Sequence, residues 1–297
     1  MPIRDSILGC IIGGAIGDAA ASAFEGSCAN SPENLSWLDQ VWQITDDTQL
    51  TLATCEAITP GKVDPAIIAE NMLRWYRTKR IRGLGSSTLK ALRDLAAGCH
   101  WALAGRKGDR AAGNGAAMRI APLAFCTEPN TSEGRQLIRD VCRITHHNDE
   151  AYVGAVATVL AINWSGDAEH PILSRISSAL PDSVVRDRLL SLAGSETKMS
   201  ISEAAIKNGT SGFVADTVPL ALFASQKAFK IGFAEMLEQI IKVGGDTDTI
   251  ASIACQISGA GLGLSCLPSH LVERLPEKEM IMDVANSFAD GILKTRV

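Results

Sequence analysis

The fold class follows from residues 64–79, which read DPAIIAENMLRWYRTK. Asp64 is a typical helix N-cap, and Pro65 fits the first helical position, where the N–H that proline lacks would have no intrahelical partner. Apolar side chains then recur at helical spacing on one face: Ile68, Met72, Trp75 and Tyr76. This periodicity predicts an amphipathic helix.

The same helical periodicity extends over most of the chain. It recurs at residues 87–97, 133–144, 149–164, 184–193, 214–225, 228–242 and 277–293. Ser200 and Glu203 form a capping-box pattern ahead of a further helix. No convincing run of alternating β-branched residues, no repeat of fixed period and no linker is present, so we predict an all-α protein with one domain spanning residues 1–297. Loops are predicted at residues 28–36, 104–115 and 180–183.

The composition is that of a globular protein with a sizeable core. The 297 residues include 28 Lys plus Arg against 33 Asp plus Glu, a net charge of −5, and 46% are apolar. The high apolar fraction excludes disorder, and the lack of a basic block argues against binding of nucleic acid through its phosphates. The eight cysteines form no CxxC pair, which favours small buried side chains over disulfides or a zinc site. We expect a cytoplasmic monomer.

The N-terminal segment imitates a secretory signal, with an apolar run at residues 7–17 and small residues at 21–23. Asp18 would lie beside the cleavage region, however, and the apolar run holds four glycines. Its eleven residues are also too few to span a bilayer. We therefore expect no membrane partner and a first helix that packs tightly against its neighbours.

Two acidic clusters, each flanked by threonine, precede apolar helical runs: ITDDTQL at residues 44–50 and GGDTDTIASIA at residues 244–254. Asp and Thr at a helix start are first of all caps. A cap needs only one carboxylate, however, and two adjacent aspartates repel each other, so the doubled carboxylates require a compensating charge. Hard cations such as Mg²⁺ take carboxylate and hydroxyl oxygens as ligands. Helix capping and a binuclear metal site both remain open.

Three further features carry polar groups. Asp18 and Glu25 are the only acids of GCIIGGAIGDAAASAFEG. Either Asp18 caps or forms a salt bridge and Glu25 is simply exposed where the helix ends, or both face a polar cavity near the acidic clusters. A turn at residues 113–115, ahead of a predicted helix bearing Arg119, offers N–H groups to a phosphate, although many such turns are only turns. The box THHND at residues 145–149 holds two histidines, which act as base or ligand or are simply capping and exposed residues.

Taken in this order, the motifs resemble the ADP-ribosylglycohydrolase family, which includes dinitrogenase reductase-activating glycohydrolases and ADP-ribosyl-acceptor hydrolases. The resemblance spans nearly the whole chain. Its strongest parts are ITDDTQLTLA and GGDTDTIASIA, with GNGAAMR between them and an early Gly-Asp; IRGLGSSTLKAL, THHNDEA and VADTVPLAL support it. It implies a compact helical domain with a central binuclear metal cleft.

The resemblance also implies roles for individual residues. The ligands of two Mg²⁺ (or Mn²⁺) ions would be Thr45, Asp46, Asp47, Asp246, Asp248 and Thr249. The candidates for proton transfer in catalysis are Glu25, which matches the family glutamate beside the metals, and Asp47. The ligand-binding candidates are Gly85 and Ser86 at the distal ribose, Gly113, Asn114 and Gly115 at the phosphates, and His146 near the ligand.

Some positions depart from the family pattern. Ala21 and Ala23 replace a glycine and a proline of the first motif, close to Glu25. Gly83 stands where several relatives have an acidic residue, so Glu25 or Asp47 must carry more of the proton transfer. The turn at residues 113–115 has no obvious aromatic residue to stack on adenine.

The activity implied is hydrolysis of the glycosidic bond between ADP-ribose and an acceptor. The substrate expected is an ADP-ribosylated protein, most simply one modified on arginine, and the product is ADP-ribose. Two alternatives remain: O-linked substrates (ADP-ribosyl-serine, ADP-ribosylated nucleic acid or O-acyl-ADP-ribose), and binding of ADP-ribose without catalysis. We expect acceptor choice to depend on loops such as residues 28–36 and 104–112.

Overall fold

Helices make up nearly all the regular structure of the computed structural model, which describes residues 1–27, 36–58, 62–167, 172–195 and 198–295. The α-helices within these ranges are α1 (Ile3–Ala21), α2 (Asp46–Ala57), α3 (Pro65–Arg77), α4 (Ser86–Ala96), α5 (Ser132–Arg143), α6 (Asp149–Trp164), α7 (Ile172–Ala179), α8 (Val184–Leu192), α9 (Ile201–Asn208), α10 (Val214–Ile231), α11 (Phe233–Val243), α12 (Thr247–Leu262), α13 (Ser269–Glu273) and α14 (Lys278–Lys294). The all-α prediction is confirmed.

Strand structure within the described ranges is limited to two short elements. β1 (Arg106–Lys107) and β2 (His146–His147) pair in parallel, with Arg106 opposite His146. Short 3₁₀ helices occupy Ser22–Phe24, Trp37–Asp39, Asp109–Ala111, Asn114–Ala116, Ala121–Phe125 and Leu264–Cys266. Of the predicted loops, residues 180–183 join α7 to α8 and residues 104–115 include β1, whereas residues 28–35 lie outside the described part of the chain.

The helix starts predicted from capping patterns form as expected. The Asp64 side chain accepts the backbone N–H of Ala66 at 2.9 Å, and Pro65 is the first residue of α3. The apolar face of α3 is buried through Ile68, Met72 and Trp75. Ser200 and Glu203 form both reciprocal bonds of the capping box at the start of α9. Local sequence therefore specifies these helix boundaries.

Two helix predictions are wrong. Residues 214–225 and the start of 228–242 belong to one helix, α10, which ends only at Gly232, whose φ of 91° breaks the helix. The segment bearing Arg119 is not an α-helix but two short 3₁₀ helices joined by a turn. Pro122 has no N–H for the carbonyl of Met118, which accepts instead from Gln256 Nε2 at 2.8 Å.

Small residues line the contact between α1 and α12. Gly9, Gly13 and Gly17 face α12 at intervals of four residues, and a Cβ at Gly9 would lie 2.2 Å from the carbonyl oxygen of Gly259. A Cβ at Gly17 would lie 2.4 Å from that of Ala251. Only glycine allows the two backbones to approach this closely. The tight packing predicted for the first helix is therefore confirmed.

The apolar character of α1 reflects its position in the core. Among the described residues, the segment from Ile3 to Phe24 is long and apolar enough to cross a membrane. Of its most apolar window, however, 83% is buried inside the protein. Length and apolar composition are thus explained by burial against the neighbouring helices.

Three helix ends meet because α1 and α12 are antiparallel. Glycines early in α1 face the end of α12, which brings the last turn of α1 to the first turn of α12. There Thr247 Oγ1 donates to the carbonyl of Ala21 at 3.2 Å. The first turn of α2 joins them, since Asp18 of α1 accepts the backbone N–H of Thr48 at 3.1 Å. This meeting point brings the two acidic clusters together.

Candidate active site

A cavity of about 270 Å³ brings together twelve of the thirteen residues that the motifs indicate. Six of them form what is called here the acidic wall: Glu25, Asp46, Asp47, Asp246, Asp248 and Thr249. The other six carry no acidic group and form the neutral wall: Gly85, Ser86, Gly113, Asn114, Gly115 and His146. Residues far apart in sequence therefore share one cavity, as the joint resemblance of the motifs predicts.

Thr45, the thirteenth residue, does not line the cavity. Its hydroxyl donates to Asp18 Oδ1 at 2.7 Å and accepts the backbone N–H of Asp47 at 3.3 Å. Thr45 is thus the N-cap of α2 and holds the first turn that presents Asp47. Its role as a metal ligand stays a prediction.

Asp18 is fully buried behind the acidic wall. Its Oδ2 accepts the backbone N–H groups of Thr45, at 2.9 Å, and Thr48, at 3.1 Å. The Thr48 hydroxyl adds a third bond to Oδ2 at 2.5 Å. Asp18 therefore caps α2 from a neighbouring helix and does not line the cavity, whereas Glu25, the other acid of its motif, does.

The first turns of α2 and α12 place Asp47 beside Asp248. Thr249 connects them, because its hydroxyl donates to Asp47 Oδ2 at 3.2 Å and its backbone N–H donates to Asp248 Oδ1 at 2.9 Å. Asp47 Oδ1 is buried and has no hydrogen-bond partner in the described chain. A buried polar atom without a partner costs roughly 1–3 kcal/mol. This oxygen therefore needs a partner that the described chain does not supply.

Burial and mutual repulsion both disfavour the ionised form of these carboxylates. Desolvation raises the pKa of Asp46 and of Asp47 well above the ordinary value, and the neighbouring aspartates raise both further. Desolvation, together with repulsion from Asp246 and Glu25, raises the pKa of Asp248 to about 9. Full ionisation of the wall at neutral pH thus requires a bound positive charge.

The carboxylates fall into two groups that share Asp248. Oxygen atoms of Asp18, Asp47 and Asp248 lie within 4.8 Å of one another, and so do oxygen atoms of Glu25, Asp246 and Asp248. Carboxylate oxygens are the ligands that hard divalent cations prefer. The acidic wall is therefore able to hold a metal ion, and the unpartnered oxygen of Asp47 fits one.

Asn114 connects the two walls. Its Nδ2 donates to Asp246 Oδ2 at 2.5 Å and to Thr217 Oγ1 at 2.8 Å. The Thr217 hydroxyl in turn donates to the carbonyl of Ser211 at 2.8 Å. This chain of bonds fixes both the turn at residues 113–115 and the carboxylate of Asp246.

The loop before α4 also touches the acidic wall. The backbone of Gly85 lies close enough to the Asp46 carboxyl to lower its pKa, against the larger effect of burial. Gly83 has a φ of 76°, and a Cβ there would lie 3.3 Å from Asp46 Oδ1. A side chain at this position would meet strain and crowding. Glycine at position 83 therefore allows this loop to approach Asp46 closely.

His146 lies over the glycine turn of the neutral wall. A Cβ added at Gly115 would lie 2.9 Å from its Cε1, and its Nδ1 lies 2.7 Å from Thr145 Oγ1. Burial, together with the charge of Arg119, lowers the pKa of His146 to about 3. His147 points away from the cavity toward the carbonyl of Ala104, at 2.7 Å. Only the first histidine of the pair therefore reaches the site.

Several cavity residues were not predicted from the sequence: Gly83, Ser87, Thr88, Arg110, Met118 and Gly212. Arg110 is the one cationic side chain among the described residues that line the cavity, and it is exposed. It has no hydrogen bond or ion pair within the described chain. Its place three residues ahead of the Gly113 turn was the available signal, but exposed arginines are too common for position alone to identify it.

Comparisons with known proteins identify the family and the fold. The family model described as ADP-ribosylglycohydrolase matches residues 1–296. An ADP-ribosylarginine hydrolase of Pseudomonas putida is 28% identical, over 96% of this chain and 78% of that protein. The ADP-ribosyl-[dinitrogen reductase] glycohydrolase of Rhodospirillum rubrum is 25% identical, over 93% of this chain and 92% of that one. A solved structure titled ADP-ribosylglycohydrolase-related protein complex superposes with a TM-score of 0.78 and 25% identity, over 97% and 98% of the two chains.

Proposed function

The chain belongs to the ADP-ribosylglycohydrolase family, whose enzymes hydrolyse glycosidic bonds of ADP-ribose, and from this premise we propose a Mg²⁺-dependent hydrolase that removes ADP-ribose from arginine side chains of proteins. The observation that carries the proposal is the acidic wall, where two clusters of three carboxylates have Asp248 in common. The buried, unpartnered Oδ1 of Asp47 supports a cation at this place. We further propose that residues 1–297 act as one domain and as a cytoplasmic monomer.

The acidic wall would hold two Mg²⁺ or Mn²⁺ ions. Asp47 and Thr249 would contribute to one position, Asp246 to the other, and Asp248 to both, with Asp46 beside them, which leaves the Glu25 carboxylate free to accept a proton. Bound divalent cations supply positive charge that anchors ribose hydroxyls and lowers the pKa of bound water. In this proposal Thr45 holds the first turn of α2. A direct bond from Thr45 to a metal ion remains a separate prediction.

Glu25 is the proposed general base. It is exposed at the mouth of the cavity, so water reaches its carboxylate, and its pKa is raised by partial burial and by Asp246. A raised pKa favours a carboxylate that accepts a proton from water as it attacks the anomeric carbon. Asp47 is less suited to this step, because its Oδ1 is buried and its Oδ2 accepts from Thr249.

The neutral wall is the proposed site of the ADP moiety. The turn at residues 113–115 would receive the pyrophosphate, and Gly85 with Ser86 would lie along the distal ribose. The Gly85 contact to Asp46 supports this order, because the distal ribose carries the scissile bond and must lie next to the acidic wall. His146 would contact the same ligand from above the glycine turn.

Arginine is the acceptor that suits the mouth of the cavity best. A guanidinium is cationic and planar and pairs with carboxylates through two parallel hydrogen bonds, whereas a serine hydroxyl carries no charge. Glu25 is exposed at this mouth, beside Asp246. The similarity to the Pseudomonas putida relative, an ADP-ribosylarginine hydrolase, supports the same choice.

The test is a release assay on two substrates that differ only in the acceptor. One protein modified with ADP-ribose on arginine and one modified on serine would be incubated with the enzyme and Mg²⁺, and free ADP-ribose would be measured. We expect turnover of the arginine conjugate to be at least tenfold faster. Faster release from serine would replace arginine by an O-linked acceptor, and binding of ADP-ribose without release from either would indicate a non-catalytic binder.

A further inference from the structure

A buried arginine supports the neutral wall, and no acidic side chain among the described residues neutralises it. Arg119 is fully buried, and its Nη2 donates to the carbonyl of Val141 at 3.2 Å and to Thr145 Oγ1 at 2.7 Å. Its Nε and Nη1 have no hydrogen-bond partner in the described chain. A buried charge of this kind is costly, so its retention points to a role beyond packing.

The hydrogen bonds around Thr145 determine the protonation of His146. Arginine is only a donor, so the Thr145 hydroxyl accepts from Arg119 and its own proton is left to donate. The one acceptor bonded to this hydroxyl in the described chain is His146 Nδ1, at 2.7 Å. If Nδ1 carried the proton instead, the buried hydroxyl hydrogen of Thr145 would have no partner. Nδ1 is therefore the acceptor, and Nε2 carries the hydrogen of the neutral ring.

We propose that Arg119 is a positioning residue that acts through Thr145 to fix His146 in the Nε2–H form, with this N–H presented to the cavity. Nε2 lies at the glycine turn, 3.4 Å from the position of a Cβ at Gly113, and no protein atom accepts its hydrogen in the described chain. His146 lines the cavity. The donor is therefore available to an oxygen of a bound ligand.

The backbone around this chain of bonds is also fixed. His146 pairs with Arg106 in the parallel β1–β2 ladder, and Gly105, at a φ of 86°, packs against Thr145 so closely that a Cβ would lie 2.5 Å from its carbonyl oxygen. Burial and the charge of Arg119 lower the pKa of His146 to about 3, which keeps the ring neutral. Position, tautomer and charge of the donor are thus set before a ligand binds, which lowers the cost of binding.

The ligand that this donor would meet follows from the proposed function, on which this part of the inference rests. A neutral N–H donor bonds to phosphate or ribose oxygens without competing with cations for the acidic wall. Loss of its fixed orientation should therefore weaken ADP-ribose binding and leave metal binding unchanged.

The first experiment reads the tautomer directly in the metal-free protein, using ¹⁵N-labelled histidine and long-range ¹H–¹⁵N spectra, with His146→Gln to assign the signal. We expect a protonated Nε2 and an unprotonated, hydrogen-bonded Nδ1. The double variant Arg119→Met/Thr145→Val replaces both polar partners by apolar groups, so that no buried donor is left without an acceptor. In this variant we expect the Nδ1 signal to lose its hydrogen-bonded character. A protonated Nδ1 in the parent protein, or an unchanged signal in the double variant, would overturn the proposal.

The second experiment measures ADP-ribose affinity by calorimetry with Mg²⁺ present. We expect the dissociation constant to rise about tenfold in the double variant and in His146→Gln, equivalent to one polar hydrogen bond, while Thr145→Ser keeps the affinity of the parent. Parent-like affinity in a folded double variant contradicts the role of the relay in binding. If the parent protein binds no ADP-ribose, the proposed function fails, but the tautomer experiment still decides the positioning role.

Discussion

The acidic wall and the neutral wall face the same cavity but are stabilised in opposite ways. The neutral wall is held in place by bonds within the protein: both Nδ2 hydrogens of Asn114 are donated, His146 Nδ1 has a partner, and the Nε2–H of His146 is left for a ligand. The acidic wall is incomplete, because Asp47 Oδ1 is buried without a partner and its carboxylates repel one another. One wall is therefore pre-formed for a ligand, whereas the other needs cations before it can work.

This difference assigns separate tasks to the two walls. The acidic wall would supply the chemistry at the scissile bond through its cations and Glu25. The neutral wall would supply affinity for the rest of ADP-ribose. Variants on the first should therefore affect turnover and metal binding, and variants on the second should affect substrate affinity alone.

The largest effect is expected for Asp248→Asn, because Asp248 is shared by both carboxylate groups. Loss of the cations should lower kcat/KM for ADP-ribose release by about 10³-fold or more, the scale seen for loss of a central electrostatic stabiliser. At pH 9, where Asp248 of the metal-free parent ionises, the metal-free variant should be at least as stable as the parent, since it carries less repulsion. The control is Asp290→Asn, which changes an exposed carboxylate of α14 that pairs with Arg4 of α1. Equal activity of Asp248→Asn and the control would contradict a catalytic acidic wall.

The next effect is a pH dependence of stability that only the metal-free protein should show. The pKa of Asp248 is raised to about 9 in the folded chain, from an ordinary value of 3.8, mainly by burial and by repulsion from Asp246 and Glu25. Its folded form thus holds a proton that the unfolded chain releases, and stability present near pH 4 is lost as the pH rises toward 9. The raised pKa of Asp46 and Asp47 acts in the same direction.

Urea unfolding at pH 5 and pH 9 in EDTA measures this loss. We expect the free energy of unfolding to fall by more than about 1.4 kcal/mol, the equivalent of one pKa unit. Added Mg²⁺ should restore more stability at pH 9 than at pH 5, because it binds the ionised carboxylates. A free energy of unfolding that rises with pH in EDTA would contradict this prediction, because ionisation of these carboxylates would then not destabilise the fold.

A smaller effect is expected on the neutral wall for Gly115→Ala. The added Cβ would lie 2.9 Å from Cε1 and 3.3 Å from Nε2 of His146, so the ring must move from its position over the turn. We expect KM to rise about tenfold, the scale of one hydrogen bond, with unchanged metal affinity. Gly166→Ala, where an added Cβ meets nothing within 4 Å, is the matched control. Loss of metal binding in Gly115→Ala would contradict the separation of the two walls.

The smallest effect is expected for Arg110→Gln at the rim. Arg110 is exposed and has no partner in the described chain, so its contribution to a dianionic ligand is a screened, long-range attraction. ADP-ribose affinity should fall about two- to fivefold at low salt and be unchanged at high salt. Lys107→Gln, a nearby exposed cation outside the cavity lining, should show no such difference. A salt-independent loss would instead indicate a direct, desolvated contact.

The sequence predicted the helices wherever local chemistry specifies them. The cap at Asp64 and the box at Ser200 are determined by residues a few positions apart, and both form. The end of α10 was placed too early because residues 226 and 227 are polar but do not break helices, whereas Gly232 does. The pattern of the segment bearing Arg119 predicts an α-helix, but Pro122 and the long-range bonds to the Met118 carbonyl prevent one from forming.

The members of the site were predictable because the motifs resemble a family, but their partners were not. The role of Asp18 depends on Thr45 and Thr48, which follow it by about thirty residues and meet it only where the start of α2 packs against α1. The sequence does not link Arg119 to His146, because the bond from Arg119 to Thr145 spans the 3₁₀ helix Ala121–Phe125 and α5. Such contacts depend on tertiary structure and leave no local pattern.

The central claim, that the acidic wall acts through bound cations, is tested most directly by release of ADP-ribose from an arginine-ADP-ribosylated protein, with enzyme treated with EDTA and then dialysed. We predict no release above background until Mg²⁺ or Mn²⁺ is added, and full recovery afterwards. Turnover in EDTA equal to that in Mg²⁺ would contradict the claim.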